Sequence, residues 1–340
     1  TESLLAVGRK HLCQLSTLRW QQRDGLDTVL PYGVRRIHAL RTLTTESVAV
    51  LMPFKAQELN HTNGIYYGQN AVSGNMIRID RAQLLNGHSF RLGVSGSGKS
   101  MSAKEELVEI ALRTKDDILI LDPESEFGRL VKALGGEVLP ISPHSSIHLN
   151  ALDIDRAYGE GKNPLVDKVK LILSIFEPLT ENGLTAKQRS ILDRCARLVY
   201  REYIRGGYRG APPTLVDLRR ILLEQPEAEA HDLALASELY TTGSLNIFAH
   251  QTNVDTGARI LCYDIRELDE QLRPVGMVVT LDAIFNRVIR NWRQGKRTWI
   301  LADEFYILFR YSFSAEFFYR LFKRMRKYNA FITAISQNVD

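Results

Sequence analysis

Gly93-Val94-Ser95-Gly96-Ser97-Gly98-Lys99-Ser100 decides how this chain folds, because it matches the pattern G-x-x-x-x-G-K-[ST] without error. Its glycines let the backbone wrap phosphate oxygens with N–H groups. Lys99 is placed to reach β- and γ-phosphates, and the Ser100 hydroxyl to ligate Mg²⁺. The motif requires a strand before it and a helix after it. Phe90–Val94 reads as the strand and Ser100–Arg113 as the helix, whose amino end adds a positive dipole. The expected ligands are therefore ATP and Mg²⁺. Gly93, Ser95, Gly96, Ser97, Gly98, Lys99, Ser100 and Met101 are the candidate nucleotide-binding residues.

From His88 onward the pattern alternates strand and helix, which predicts a mainly parallel sheet covered by helices. Asp117–Leu121 is a continuous apolar strand of the doubly covered kind. Trp299-Ile300-Leu301-Ala302-Asp303-Glu304 is an apolar strand that ends in two acids, a Walker B arrangement. Asp303 is the expected holder of the Mg²⁺ shell. Glu304 is the expected general base for an attacking water. Asp264 competes for the metal role but lacks the second acid. Gln337 follows the last predicted strand, Ala330–Ile335, and is a candidate catalytic contact to the γ-phosphate or the water.

Asp122-Pro123-Glu124-Ser125-Glu126-Phe127 follows the Asp117–Leu121 strand, where parallel sheets present their ligand crevice. Asp122 and Glu124 are thus candidate nucleotide-site residues, and the same stretch also reads as a turn capping a helix. Lys323-Arg324-Met325-Arg326-Lys327 lies in a predicted helix over 313–327. The two lysines read as a solvated face. Arg324 and Arg326 flank the apolar stripe, and either is a candidate arginine finger, in its own site or across a subunit interface. Arg266 competes for that role.

Residues 155–240 show no clear strands and read as an all-helical insertion. Within it Thr185-Ala186-Lys187-Gln188 is a capping box that opens a helix with Ile191, Leu192, Cys195, Leu198 and Val199 on one face. The sheet resumes at Arg259–Ile265, and a helix near Pro274 turns Leu281, Ile284, Phe285, Val288 and Trp292 inward. Residues 1–85 read as the end of a preceding domain and a β-rich lead-in. Leu30-Pro31-Tyr32-Gly33 is a turn, Ser47–Met52 a short strand stopped by Pro53, and Gly64–Gly68 with Met76–Asp80 a hairpin. Residues 86–340 then form the P-loop domain. A start without Met and an end just after a predicted strand read as a fragment.

The 340 residues are 44% apolar and 24% charged, an ordinary globular composition, with 44 basic side chains against 39 acids. A surplus of that size does not by itself indicate nucleic acid. Cys13, Cys195 and Cys262 are widely spaced, which reads as a reducing compartment without a structural metal. No apolar run approaches the ~18 residues needed to cross a bilayer.

Taken together, several of these motifs resemble one family. The Gly-Val-Ser-Gly-Ser-Gly-Lys-Ser loop, the Asp-Pro-Glu-Ser-Glu-Phe box, the Asp-Glu pair, the Arg-Lys-Tyr-Asn run (326–329) and Ser-Gln-Asn (336–338) occur in that order. They are similar to the large VirB-type (TrbE/TraC-like) ATPases of type IV secretion and conjugation systems, relatives of the HerA/FtsK DNA-pumping motors. Pro53-Phe54, Gly68-Gln69-Asn70 and Asn86 in the lead-in also fit, so the resemblance spans residues 30–340. Its most discriminating part is the Asp-Pro-Glu-x-Glu box. Phe305 departs from it where a small residue is usual, and Ser336 where Thr is usual. The resemblance implies a RecA-like core and a hexamer with shared active sites. It also implies peripheral attachment at the cytoplasmic face of the inner membrane, and secretion-channel and coupling proteins as partners. The implied work is pilus assembly or substrate export. The rival reading is a DNA translocase of the HerA/FtsK type, with DNA as the partner. A nucleotide-gated assembly factor without turnover is a third, against which Glu304 argues.

Overall fold

A computed structural model of the chain describes residues 2–11, 15–38, 42–51, 56–159, 161, 163–180, 183–309, 315, 319 and 322–337. It divides into two compact units, Thr1–Gln57 and Glu58–Asp340.

Among its described residues the first unit holds the short helices α1 (Glu2–Lys10), α2 (Gln22–Val29) and α3 (Thr45–Leu51). After α2 the Leu30–Gly33 turn forms as read, with Tyr32 N donating to Leu30 O at 2.7 Å and Gly33 at φ +66°. The expected strand Ser47–Met52 is instead helical over Thr45–Leu51. Local hydrogen bonding overrides the β-branched composition. Thr44 Oγ1 accepts from Ser47 N at 3.2 Å and Thr44 O from Val48 N at 3.0 Å, which caps and closes a first helical turn. Met52 and Pro53 lie outside the described residues, as does Cys13.

The second unit opens with the antiparallel pair β1 (Ile65–Gln69) and β2 (Met76–Ile79), the expected hairpin. The main sheet follows: β3 (Ser89–Leu92), β4 (Asp117–Asp122), β5 (Glu137–Pro140), β6 (Ile260–Asp264), β7 (Thr298–Ala302) and β8 (Ala330–Ser336). All six strands are parallel, in the order β3-β8-β7-β4-β6-β5. Both faces are covered, so β4 and β7 are buried at every position. The edge strand β5 escapes a sequence reading. Gly135-Gly136 before it and Pro140 at its end leave only four residues, too few to show a period.

The glycine loop leads from β3 into α4 (Lys99–Arg113), and the acidic box from β4 into the short α5 (Gly128–Ala133). The insertion is helical as expected: α6 (Pro164–Phe176), α7 (Ala186–Arg205), α8 (Leu215–Leu223), α9 (Ala228–Ala236) and α10 (Glu238–Thr241). It shares one apolar core with a face of the sheet and with α11 (Arg273–Arg293). On α11, Leu281, Ile284 and Val288 are inward as read, but Trp292 is 42% exposed. It sits in the last turn, and its indole packs edge-on against Tyr328 at 5.1 Å. Cys195 and Cys262 are buried free thiols, and burial raises both above the usual thiol range.

The Thr185 capping box forms as read, with Gln188 N donating to Thr185 Oγ1 at 3.3 Å and Thr185 N donating to Gln188 Oε1 at 2.9 Å. Thr185→Ala should therefore lower unfolding stability by about 0.5–2 kcal/mol in urea titration. A change below the error of the titration would show that α7 is held by its packing alone.

Candidate active site

The glycine loop is built as its sequence demands. Gly96 and Gly98 lie at φ +77° and +87°, where a side chain is strained, and a Cβ on Gly93 would meet Ser97 Oγ at 2.6 Å. Gly98 is the N-cap of α4 and makes no side-chain cap bond, and the first turn of α4 carries no acid. Its leading N–H groups therefore stay available to an anion, with the helix dipole behind them. Val94 to Gly98 are exposed, while Lys99 and Ser100 are half-buried. Lys99 folds back over the loop, its Nζ donating to Val94 O at 2.9 Å. Met101 is exposed beside them.

Strand order sets what stands opposite. β8 lies between the loop strand β3 and β7, so the carboxyl ends of all three meet. Asp303 and Glu304 follow β7, and both are buried. Gln337, after β8, donates from Nε2 to Glu304 Oε1 at 2.5 Å. Glu304 Oε2 is buried and has no hydrogen-bond partner. Its backbone is at φ +43°, an uncommon conformation for a side-chain-bearing residue, and such strain collects at functional sites. Asp303 Oδ1 accepts from Glu304 N at 3.0 Å. Burial pushes the Asp303 carboxyl up to about 7 against that bond, with Glu304, Glu126 and Asp122 adding like charge.

A buried acid under like-charge pressure, with an orphaned carboxylate oxygen beside it, suits a divalent cation and a polarised water. Among the described residues no group of three or more His, Cys, Asp or Glu could hold a metal alone. Mg²⁺ commonly binds through one or two protein oxygens together with substrate phosphates. Ser100 and Asp303 are the residues that fit it. Asp264 does not. At about 4.8 Å per strand it lies four strands, roughly 19 Å, from the β3 end, against roughly 10 Å for Asp303. Its Oδ2 accepts from Ser125 Oγ at 2.6 Å.

Asp122 is turned into its own loop. Its carboxylate accepts from Glu126 N at 3.0 Å and Phe127 N at 2.9 Å, so it shapes the acidic box; Glu124 is exposed. Burial raises the Asp122 carboxyl against those two bonds. The Cys262 thiol also points at it, a contact spacing could not reveal.

The candidate arginines stand elsewhere. Residues 322–325 are helical and Arg326–Tyr328 is a 3₁₀ turn leading into β8. Arg324 and Arg326 are exposed, as are Lys323 and Lys327. Arg326 precedes the amino end of β8 and Gln337 follows its carboxyl end. At ~3.3 Å per residue that separates the two by roughly 20 Å or more, beyond the reach of a side chain in its own site. Arg266 is exposed at the correct end of the sheet, but after β6. Phe317, Phe318 and Leu321 of the expected stripe lie outside the described residues; Met325 is buried as read.

Residues 65–207 match the family model described as helicase HerA, central domain. The structure of VirB4 of Thermoanaerobacter pseudethanolicus matches with a TM-score of 0.71 at 23% identity, covering 83% of this chain and 79% of that one. The plasmid coupling protein TrwB, solved in complex with ADP and Mg²⁺, matches with a TM-score of 0.50 at 16% identity, covering 88% and 72%. No curated protein matches the chain. With its parallel sheet, glycine loop and paired acids, the chain has the P-loop NTPase fold of VirB4 and TrwB, and residues 65–207 match the HerA central domain.

Proposed function

We propose that this chain is a Mg²⁺-dependent ATPase that energises a type IV secretion or conjugation machine. The observation that carries hydrolysis is Glu304. It is a buried carboxylate with one oxygen held by Gln337 and the other unpartnered, on the strand two places from the glycine loop. A pure nucleotide switch has no use for such a group. Glu304 Oε2 takes a proton from the attacking water, and Gln337 fixes the carboxylate's orientation. Lys99 leaves Val94 O for the β- and γ-phosphates, which the amino end of α4 also cradles. Ser100 and Asp303 would hold Mg²⁺, which would supply charge neutralisation to the phosphate oxygens.

The secretion role rests on the similarity to VirB4 and TrwB and on the motif order read from the sequence. It brings a head-to-tail hexamer, partners among channel and coupling proteins, and a place at the cytoplasmic face of the inner membrane. Among the described residues no helix is long and apolar enough to cross a membrane. The HerA match over 65–207 favours a second reading, a DNA translocase. ATPase assays with and without duplex DNA, paired with mass measurement of the assembly, separate them. A DNA pump gains turnover with DNA and loses binding steeply as salt rises. Turnover indifferent to DNA supports the secretion role, and a chain without ATPase activity refutes both.

Lys99→Ala should weaken Mg·ADP binding about 10- to 100-fold by calorimetry, because a charge-assisted bond contributes about 1.5–3 kcal/mol. Affinity equal to the parent would sink the assignment of the loop.

A further inference from the structure

We propose that Arg81, Glu106 and Thr333 are positioning residues of the ATPase reaction: a buried ion network behind the sheet that holds the glycine loop's helix in register with the strands bearing the base and its glutamine partner. The proposal rests on the hydrolytic reading above.

Arg81 precedes the sheet, just after β2, yet its guanidinium is buried among the elements that end in candidate catalytic residues. Nη1 donates to Glu106 Oε1 at 2.8 Å and to Thr333 Oγ1 at 2.7 Å. Nη2 donates to Ile332 O at 2.7 Å, and Nε to Gly87 O at 2.5 Å. The same guanidinium lies over the Trp299 ring, 5.1 Å from its centroid. Glu106 uses both oxygens. Oε1 also accepts from Tyr67 OH at 2.5 Å, and Oε2 accepts from Arg91 Nη2 at 2.8 Å and Thr333 Oγ1 at 3.0 Å.

The sequence positions of these contacts give the network its meaning. Glu106 lies two turns along α4 from Lys99. Thr333 is four residues before Gln337 on β8, and Trp299 is four before Asp303 on β7. Gly87 and Arg91 flank the start of β3. One carboxylate and one guanidinium thus tie together the four elements whose ends must meet around a phosphate. Burial pushes the Glu106 carboxyl up, but the Arg81 and Arg91 guanidiniums outweigh it and hold it below the usual range. The ionised network is therefore stable as built. Replacing such a pair by apolar residues often costs little stability, so its presence calls for another reason. Rigid register is that reason here: a hydroxyl or carboxylate that fixes geometry at both ends sets distances that hydrophobic packing leaves looser.

Glu106 lies two turns along α4 from Lys99 and Thr333 four residues before Gln337, with their side-chain oxygens engaged in the network, so they act on turnover rather than on nucleotide affinity. The test compares Thr333→Val, Thr333→Ser and Glu106→Gln with the parent chain and with Lys99→Ala, measuring kcat and KM for ATP and Kd for Mg·ADP. A misplacement near 1 Å costs about 10²-fold in rate, so Thr333→Val should lose about 10- to 100-fold in kcat with Mg·ADP affinity within about threefold of the parent. Thr333→Ser, which keeps the hydroxyl, should recover most of that loss. Glu106→Gln should fall at least as far as Thr333→Val. If Glu106→Gln fails to fold, the Val and Ser pair at Thr333 decides alone, because neither leaves a charge unpaired. Three results would overturn the network: parent-like kcat in Thr333→Val, parallel loss of kcat and Mg·ADP affinity, or no recovery in Thr333→Ser. A parent chain that turns over no faster than Lys99→Ala is a different failure. It removes the hydrolytic reading, and the proposal with it.

Discussion

Glu304→Gln should bind Mg·ATP like the parent chain and hydrolyse it about 10²–10⁴-fold more slowly, the usual cost of losing a general base. The geometry gives the reason. Gln337 already donates to Oε1, so an amide oxygen at that position keeps the contact and the local fold. The change falls on Oε2, the buried atom without a partner, which becomes an NH₂ group that cannot take a proton. Asp303, the proposed holder of Mg²⁺, keeps its carboxylate, so nucleotide binding should be retained. Single-turnover rates and Mg·ADP affinity, measured together, check this. If Glu304→Gln loses nucleotide while Asp303→Asn binds it normally, the two acids have exchanged roles. Parent-like hydrolysis would place the base elsewhere.

If Arg324, Arg326 or Arg266 acts as a finger across a subunit interface, turnover per chain should rise steeply with protein concentration, because a lone subunit would lack it. The contribution of such a finger runs to about 10³–10⁵ in rate. Arg324 and Arg326 stand at the amino end of the sheet, too far from the glycine loop of their own subunit, so as fingers they could act only across an interface. Arg266 stands at the other end, four strands from β3. The deciding experiment mixes Glu304→Gln with each Arg→Ala variant. In a closed head-to-tail ring every subunit gives one surface and receives the other. Mixed rings therefore contain some interfaces with an intact base facing an intact finger, and activity should partly return for one arginine of the three. No return despite proven co-assembly would mean that none of these arginines acts across an interface.

The sequence by itself determined the fold class and the local patterns from which the candidate site is built. The glycine loop, the apolar strands ending in acids and the Thr185 capping box are each local patterns whose chemistry acts over a few residues. The structure has them where they were read. Local reading failed where one short segment satisfies two patterns. Ser47–Met52 has strand composition, but Thr44 caps a helix there. Glu137–Pro140 is too short to show a period, and only pairing with β6 makes it a strand. Tertiary structure alone decided the arrangement of strands, and with it distances the sequence cannot carry. It put Gln337 on Glu304, moved Asp264 away from the loop, turned Asp122 into its own turn and sent Arg324 and Arg326 to the far end of the sheet. It also brought Arg81, Glu106 and Thr333 together, although 25 to 252 positions separate them in the chain. Buried charges must find partners wherever the fold supplies them, and that requirement leaves no periodic trace in the sequence.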